Sequence, residues 1–448
     1  MKKWKPFVIA TAILLLVLVI VPFLIPMSSY VSQAEQLASA ELGVPVEIDT
    51  MRLAILPTPR LNVSGLVIGE NEDVRVNDVA VVPAIASMFS ETKVLSSVKV
   101  DKPILKQSAL NLLDAFAKEE GAPAKPAAVA VRKIEINDAR LEWPDMAFPE
   151  FDVEIAMTAD NKPDSALIET TDGKLKLNLE PQADGLQVVT LTADDWTIPA
   201  GAPLLVNQLK ADMILHENVL EITSLDAGMY QGKVNGSATL DWAKDWKLNG
   251  KLKIDNLAVK EPARLISEGT HVSGQLSTEG TFNASAREPA ALADKLNASF
   301  RFNVKDGVLY GVDLTRAASL LLRQGQKGGE TQFDEFSGIA QVNGKQYQFK
   351  DLRISSGLMA ASGHVKIRPD ETLDGLARVK VSKSATLAEI PLQISGTLDS
   401  PSVFPTKAAL AGAAAGAVVG GPLGAGLGIK AAEGVDKLRK GLFGGNEE

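Results

Sequence analysis

The 448-residue sequence contains no cysteine and only three histidines. Without cysteine the chain cannot form disulfide bonds, thiolate metal sites or cysteine nucleophiles. His216, His271 and His364 lie far apart and have none of the spacings of metal ligands, so we predict that they are solvated or hydrogen-bonded strand residues. The sequence also lacks a basic excess. Its formal net charge of −9 argues against a nucleic-acid partner.

Motifs of enzyme active sites are missing as well. The sequence has no phosphate-binding glycine loop, no nucleophile elbow and no clustered acid and base. Its acidic residues are scattered, and Asp194-Asp195 is typical of a turn. We therefore predict that the chain is not an enzyme and has neither a cofactor nor a metal site.

The N-terminus carries an uncharged hydrophobic run of nineteen residues, residues 7–25, preceded by Lys2, Lys3 and Lys5. As a helix this run spans about 28 Å at ~1.5 Å per residue, enough to cross the hydrocarbon core of a bilayer. A cleaved signal peptide is the alternative, but its apolar core usually has only ~7–15 residues. The run predicts a transmembrane anchor, with lysines in the cytoplasm and the remaining chain outside it.

Beyond the anchor, most of the chain alternates apolar and polar residues, which is the pattern of half-buried strands. Examples are Val365–Arg368 and Leu392–Ile394, and Asn343-Gly344 is a hairpin signal between two strands. Residues 28–42 instead predict a helix, with Gly43 at its C-terminal end. The fold class expected is mainly β with a few short helices.

About twenty candidate strands face too few helices to cover one long apolar sheet. At ~4.8 Å per strand a single sheet would extend roughly 95 Å, and sheets of more than ~10 strands usually curl or split. The sheet can close on itself as a sandwich or barrel. Alternatively, it forms an elongated, curled antiparallel gutter whose apolar inside holds a ligand.

Candidate residues for the lining of such a gutter come from the cleanly alternating strands. A core role is the alternative for each of them. They are Leu175, Leu177, Leu179, Leu252, Ile254, Phe300, Phe302, Val304, Val365 and Ile367.

Composition and punctuation divide the chain into five predicted segments. Residues 1–27 form the cytoplasmic tip and anchor, and residues 28–120 the first part of the gutter. The proline- and alanine-rich residues 121–128 form a linker. Residues 129–405 form the main β-gutter, and residues 406–448 a tail rich in glycine and alanine.

Four stretches of the sequence resemble the AsmA family of inner-membrane-anchored envelope proteins. The first combines the anchor with residues 42–48, 57–61 and 65–69, and the second is residues 134–141. The third is residues 306–314, and the fourth is residues 357–367 with residues 390–398 and Pro401. Together they extend from residue 1 to about residue 405.

The resemblance implies a chorein-like β-gutter related to bridge-type lipid transfer proteins. It implies a bacterial inner-membrane protein with one N-terminal span and its bulk in the periplasm. The expected partners are membrane lipids, phospholipids foremost, and an envelope protein. The expected work is lipid binding or transfer in outer-membrane lipid homeostasis or assembly. The alternative is a scaffold for outer-membrane protein assembly that carries no lipid.

The C-terminal tail has a second pattern. Its glycines at positions 412, 416, 420, 424 and 428 are four residues apart in an uncharged run, a spacing that lets helices approach closely in a membrane. Gly412, Gly416, Gly420, Gly424 and Gly428 therefore predict a membrane-associated or self-associating helix. A flexible low-complexity tail is the alternative.

Overall fold

The computed structural model of the chain has two compact units, Met1–Gly201 and Ala202–Glu448, here called the N-terminal and C-terminal units. The structure describes residues 27–56, 58–89, 93–109, 129–143, 146–182, 185–199, 203–318, 328–357, 359–381, 389–415 and 429–433. The boundary between the units lies within the segment predicted as the main β-gutter. The predicted linker 121–128 lies outside the described residues.

The described part of the N-terminal unit is one helix, α1 (Ser28–Leu42), followed by strands and two short 3₁₀ turns (Ile85–Phe89 and Gln107–Ala109). The strands are β1 (Val46–Ala54), β2 (Arg60–Ile68), β3 (Val74–Pro83), β4 (Lys93–Asp101), β5 (Ile104–Lys106), β6 (Val129–Val131), β7 (Lys133–Trp143), β8 (Met146–Ala147), β9 (Phe151–Met157), β10 (Pro163–Thr170), β11 (Leu175–Pro181) and β12 (Gln187–Thr197).

The C-terminal unit has the same character, with short helices α2 (Lys260–Ile266) and α3 (Leu314–Ala317) and 3₁₀ turns Pro289–Ala291 and Ala293–Lys295. Its strands are β13 (Leu205–His216), β14 (Val219–Met229), β15 (Gly232–Asp241), β16 (Trp246–Ala258), β17 (Gln275–Ala286), β18 (Asn297–Tyr310), β19 (Glu330–Asn343), β20 (Gln346–Ser355), β21 (Met359–Ile367), β22 (Leu373–Val381), β23 (Ile390–Gly396) and β24 (Pro401–Pro405). The prediction of a mainly β chain with few short helices is confirmed.

The sheet of the N-terminal unit is mixed, so the prediction of a wholly antiparallel sheet is wrong here. Strand β4 pairs in parallel with β6 and β7, and β5 pairs in parallel with β7. The other described pairings of this unit are antiparallel. Two adjacent parallel strands need a crossover connection of a dozen or more residues. The stretch between β5 and β6 has that length. The sequence could not predict the parallel pairing, because alternation within a strand gives no information about strand direction.

In the C-terminal unit β13 to β24 pair antiparallel in sequence order, each strand with the next. Register shifts interrupt the pairing of β13 with β14, β14 with β15, β16 with β17, β19 with β20 and β20 with β21. Asn256 and Asp351 have φ angles of +53° and +50° at two of these bulges. Because a bulge bends its strand and increases the local twist, this sheet curls.

Helix α1 packs beside β1 and closes part of the edge of that strand. The Val46 amide donates to Ser39 Oγ (2.9 Å), and the Ile48 amide donates to Glu35 Oε1 (2.9 Å). Gly43 ends the helix with φ +68°, as predicted. The predicted anchor 7–25 lies outside the described residues. Within the described part of the chain, none of the helices is both long and apolar enough for a membrane crossing.

One end of the C-terminal unit is a closed core to which the described tail contributes. Residues 407–415 and 429–433 are helical. Ala409, Ala413 and Ile429 are buried against β22, β23 and β24, in one cluster with Val379 and Leu392. Arg378 on β22 forms an ion pair with Glu433 (2.6 Å). The described parts of the tail therefore fold back onto the sheet.

Helix α3 completes this closed end. Asp313 caps the helix as an acceptor for the Arg316 amide (2.9 Å), and Leu314 and Ala317 are buried. Thr331 Oγ1 accepts a hydrogen bond from the Leu314 amide (2.9 Å) and donates to the Val312 carbonyl (2.7 Å). The buried side of this helix packs into the closed core through Leu314 and Ala317.

Candidate functional site

Two unbroken rows of apolar side chains cross nine strands of the N-terminal unit. Cross-strand pairing brings each row onto one face, because directly opposed residues point the same way. The first row is Leu53, Leu61, Val81, Val98, Ile134, Ile155, Ala166, Leu179 and Val189. The second row is Met51, Val63, Val79, Val100, Ile136, Val153, Ile168, Leu177 and Leu191.

Burial of these two rows is incomplete. Of the eighteen side chains only Val189 is buried, at 5% exposed, and the others are half-buried. The centre of a stripe sealed in a sandwich would be buried almost completely. We call the face that carries the two rows the N-terminal apolar face, and it is open to solvent along its length.

The opposite face of the same strands is polar. Glu135, which lies between Ile134 and Ile136 in sequence, bonds Lys99 (2.5 Å) and Lys133 (3.0 Å), and Lys133 also bonds Glu154 (2.7 Å). The hydrogen bonds from Lys99 and Lys133 lower the pKa of Glu135. The hydrogen bonds to Glu154 and Glu135 raise the pKa of Lys133. This network marks the solvated side of the sheet.

The C-terminal unit has an apolar face of its own, here called the C-terminal apolar face. Its large side chains alternate with glycine across the strands. One row runs Leu225, Gly236, Leu252, Gly280, Phe300, Ala340, Phe349, Val365, Gly375 and Ile394. A Cβ atom on Gly280 would overlap the Phe300 ring, and one on Gly250 would overlap the Phe282 ring. The glycines therefore give the rings room to lie over the neighbouring strands.

The ten predicted lining residues fall on these two faces. Leu175, Leu177 and Leu179 lie on β11 in the N-terminal unit and are half-buried. The other seven lie in the C-terminal unit on β16, β18 and β21. Leu252 and Phe300 both pair with Gly280 on the strand between them, so they lie on the same face. Six of these seven are half-buried, whereas Val304 is 2% exposed and belongs to the closed core. Sequence alternation identifies a face but cannot tell how far along a strand that face is covered.

Four phenylalanines separate the open part of this face from the closed core. The Phe302 ring contacts the rings of Phe336 (centroids 5.3 Å apart) and Phe349 (6.4 Å), and Phe333 contacts Phe336 (5.7 Å). Phe333 is 4% exposed, whereas Phe302, Phe336 and Phe349 are half-buried. The sequence pattern alone does not reveal this cluster, although the spacing of three residues between Phe333 and Phe336 is a signal for it.

Two depressions of the C-terminal unit lie on its polar face. One of about 750 Å³ is lined by Lys251, Lys253, Glu279 and Arg301 among others, and the next, of about 490 Å³, continues past Asp351 and Arg353. These shallow troughs are walled by hydrated charged side chains, so they do not suit an apolar ligand. Among the described residues no group of histidine, aspartate and glutamate could hold a metal ion.

The predicted tail site falls mostly outside the described residues. Gly416, Gly420, Gly424 and Gly428 lie there, and their association with a membrane stays a prediction. Gly412 is described and is buried in the helix of residues 407–415. That helix packs through Ala409 and Ala413 into the closed core.

Comparison with known proteins gives one match. No curated protein and no solved structure matches the chain. The profile of the AsmA family matches residues 138–345, which extend from β7 to the hairpin between β19 and β20. The match includes all of one and part of another of the four stretches on which the resemblance rests. Eight of the ten predicted lining residues lie within it, and Val365 and Ile367 lie beyond it. This match, over slightly less than half of the chain, supports assignment to the AsmA family.

Proposed function

We propose that this protein binds membrane lipids by their acyl chains along its two apolar faces and transfers them within the bacterial cell envelope. The supporting observation is the pair of nine-residue apolar rows that stay half-buried across the N-terminal unit. An apolar patch of this length is unusual on a protein surface and marks a site for an apolar partner. The match to the AsmA family supports an envelope role.

The dimensions of the N-terminal apolar face fit an acyl chain. Nine strands at ~4.8 Å spacing extend a row to about 38 Å. The acyl region of one leaflet is about 15 Å thick, half of the ~30 Å hydrocarbon core of a bilayer. Each CH₂ group that moves from water onto such a face gains about 0.8 kcal/mol. A row can therefore shield the full length of a lipid tail.

The proposal places the chain at the bacterial inner membrane, anchored through residues 7–25, with both units in the periplasm. There the faces have bilayer lipid within reach. We propose phospholipid as the cargo and support of outer-membrane lipid homeostasis or assembly as the role. In this proposal the protein is not a catalyst, since binding and release of lipid require no bond to be broken.

Photo-crosslinking tests the proposal. Benzoylphenylalanine replaces Leu177 or Phe302 on the apolar faces, and Asn178 or Arg301 on the opposite faces as matched neighbours. In cells, the first pair should form adducts whose mass corresponds to the protein plus one lipid, and the second pair should not. Equal labelling of both pairs, or adducts with protein alone, would reject lipid binding.

A scaffold for outer-membrane protein assembly is the second candidate, and it predicts a different result. An envelope partner would then co-purify with the full-length protein, and it would still do so after Leu177→Glu. If lipid binding is the function, Leu177→Glu should remove the lipid bound by the N-terminal apolar face and leave that bound by the C-terminal unit.

A further inference from the structure

We infer that lipid enters and leaves the C-terminal apolar face at one rim only, the rim beside Trp242, Trp246 and Tyr347. This inference rests on the proposed function. The rim, here called the turn rim, consists of the connections β13–β14, β15–β16, β17–β18 and β19–β20, which lie at the same ends of these strands. Their residues are 217–218, 242–245, 287–296 and 344–345.

The opposite ends of the same strands are closed by the protein itself. Val304 on β18 is 2% exposed, and Val379, Leu392 and Ile429 are completely buried around it in one cluster. Nine strands, β15, β16 and β18 to β24, and the described tail helices contribute to this cluster. No volume remains there for a lipid tail, because its side chains already fill the space.

Two close contacts with Asp399 stabilise this closed end. Ser267, which directly follows α2, donates from Oγ to Asp399 Oδ1 (2.7 Å) in the turn between β23 and β24. Ser267 is only 5% exposed. A Cβ atom on Gly269 would overlap the backbone of Asp399. The last hairpin of the sheet is therefore held directly against the segment between β16 and β17.

The apolar side chains become more exposed along the strands from this closed end to the turn rim. After the buried Val304 come the half-buried Phe302 and Phe300 on β18. On β20, Tyr347 is paired with Ile367 and is 44% exposed. Exposure of the apolar face thus rises toward the turn rim, and the phenylalanine cluster forms the inner limit of the open part.

The turn rim itself carries aromatic side chains with polar groups. The rings of Trp242 and Trp246 stack with their centroids 5.6 Å apart. Trp246 pairs with Ala286 and lies two residues before Leu248 on β16, so its side chain is on the apolar face. Tryptophan and tyrosine favour the boundary between acyl chains and headgroups, where the ring is apolar and its N–H or O–H is hydrated. These three rings fit a lipid whose headgroup stays in water while its tail lies on the face.

The matched control is at the closed end. Ile266 on α2 is 74% exposed, more than Tyr347, so exposed apolar area alone does not distinguish the two ends. Both positions are exposed, so substitution of either one leaves the core intact. Trp242 is half-buried, so its variant also needs a check of the unfolding midpoint.

The test measures lipid loading of the full-length protein from vesicles of phosphatidylethanolamine and phosphatidylglycerol that contain a quenched fluorescent phosphatidylethanolamine. Tyr347→Ser and Trp242→Ser should slow the initial loading rate several-fold, whereas Ile266→Ser should leave it unchanged. In a second measurement, benzoylphenylalanine at Tyr347 should form lipid adducts, whereas the same group at Ile266 should form none.

Two results would overturn the inference. In one, Ile266→Ser slows loading as much as Tyr347→Ser does. In the other, lipid adducts at Ile266 equal those at Tyr347. In either case adducts at Leu177 and Phe302 would leave the proposed function standing. If those two positions also fail to capture lipid, the proposed function itself is wrong.

Discussion

Arg378 and Glu433 are 55 residues apart in sequence, and their side chains form a double hydrogen bond. Arg378 donates from Nε (3.0 Å) and Nη2 (2.6 Å) to Glu433 Oε1. Both side chains are partly buried, at 34% and 25% exposed. Because Arg378 lies on β22 and Glu433 in the helix of residues 429–433, this contact fixes the end of the described tail to the sheet.

Glu433→Gln should loosen that helix. Loss of the charge weakens a partly exposed pair, which is worth about 1 kcal/mol or less. Hydrogen exchange of the amides of residues 429–433 should become faster, with little change in the strands. Lys430→Gln, which removes an exposed charge from the same helix, serves as the control. Equal protection of residues 429–433 in both variants would show that the ion pair does not hold the tail.

Gly269→Ala should destabilise the closed end of the C-terminal unit. The new methyl group would overlap the backbone of Asp399, and overpacking of this kind costs about 1–3 kcal/mol. The measurement is the midpoint of urea unfolding. Gly357→Ala is the matched control, because no atom lies within 4 Å of its added Cβ. Identical midpoints for the two variants would argue against the contact between Gly269 and Asp399.

Leu177→Glu should abolish lipid binding by the N-terminal apolar face. The charge would lie in the middle of an apolar row, where an acyl chain would desolvate it. Since Leu177 is half-buried, we expect a loss of only about 1–2 kcal/mol of folding stability. Native mass spectrometry of the purified protein measures the bound lipid. Asn178→Glu adds the same charge to the opposite face and should leave binding intact, and equal loss in both variants would contradict the assignment of the face.

Glu135→Gln should lower the free energy of unfolding at neutral pH by up to about 1 kcal/mol. The folded-state pKa of Glu135 is lowered, so its contribution is fully present above the unfolded value of about 4.3. That contribution is lost as the pH falls through the lower pKa of the folded state. The difference between variant and parent should therefore disappear in acid, as measured by thermal unfolding across a pH series. Glu47→Gln, at an exposed position on β1, serves as the control.

The local structure follows closely from local sequence signals. Helix α1 ends at Gly43, and the hairpin at Asn343-Gly344 has Gly344 at φ +55°, as the residues predict. Alternation also groups the apolar residues of β11, β16, β18 and β21 on one face of each strand, as the strand pairing shows. These features depend on a few neighbouring residues, so they can be predicted from a single sequence.

The longer-range arrangement could not be derived in the same way. Nothing in the residues of β4 or β7 reveals that these strands pair in parallel, because strand direction depends on the connection between them. Val304 alternates as regularly as Phe300, but only the fold of the last strands decides that Val304 is sealed. The burial of Ile429 likewise depends on contacts with strands far from it in sequence.

The position of Ile429 in the closed core has a consequence for the order of biogenesis. Its completely buried side chain fills space beside Val379 and Leu392, so the core of the C-terminal unit cannot close before residue 429 has been synthesised. Until then the nascent strands β22 to β24 expose apolar surface that invites aggregation. This unit therefore reaches its native state only after translation has passed residue 429.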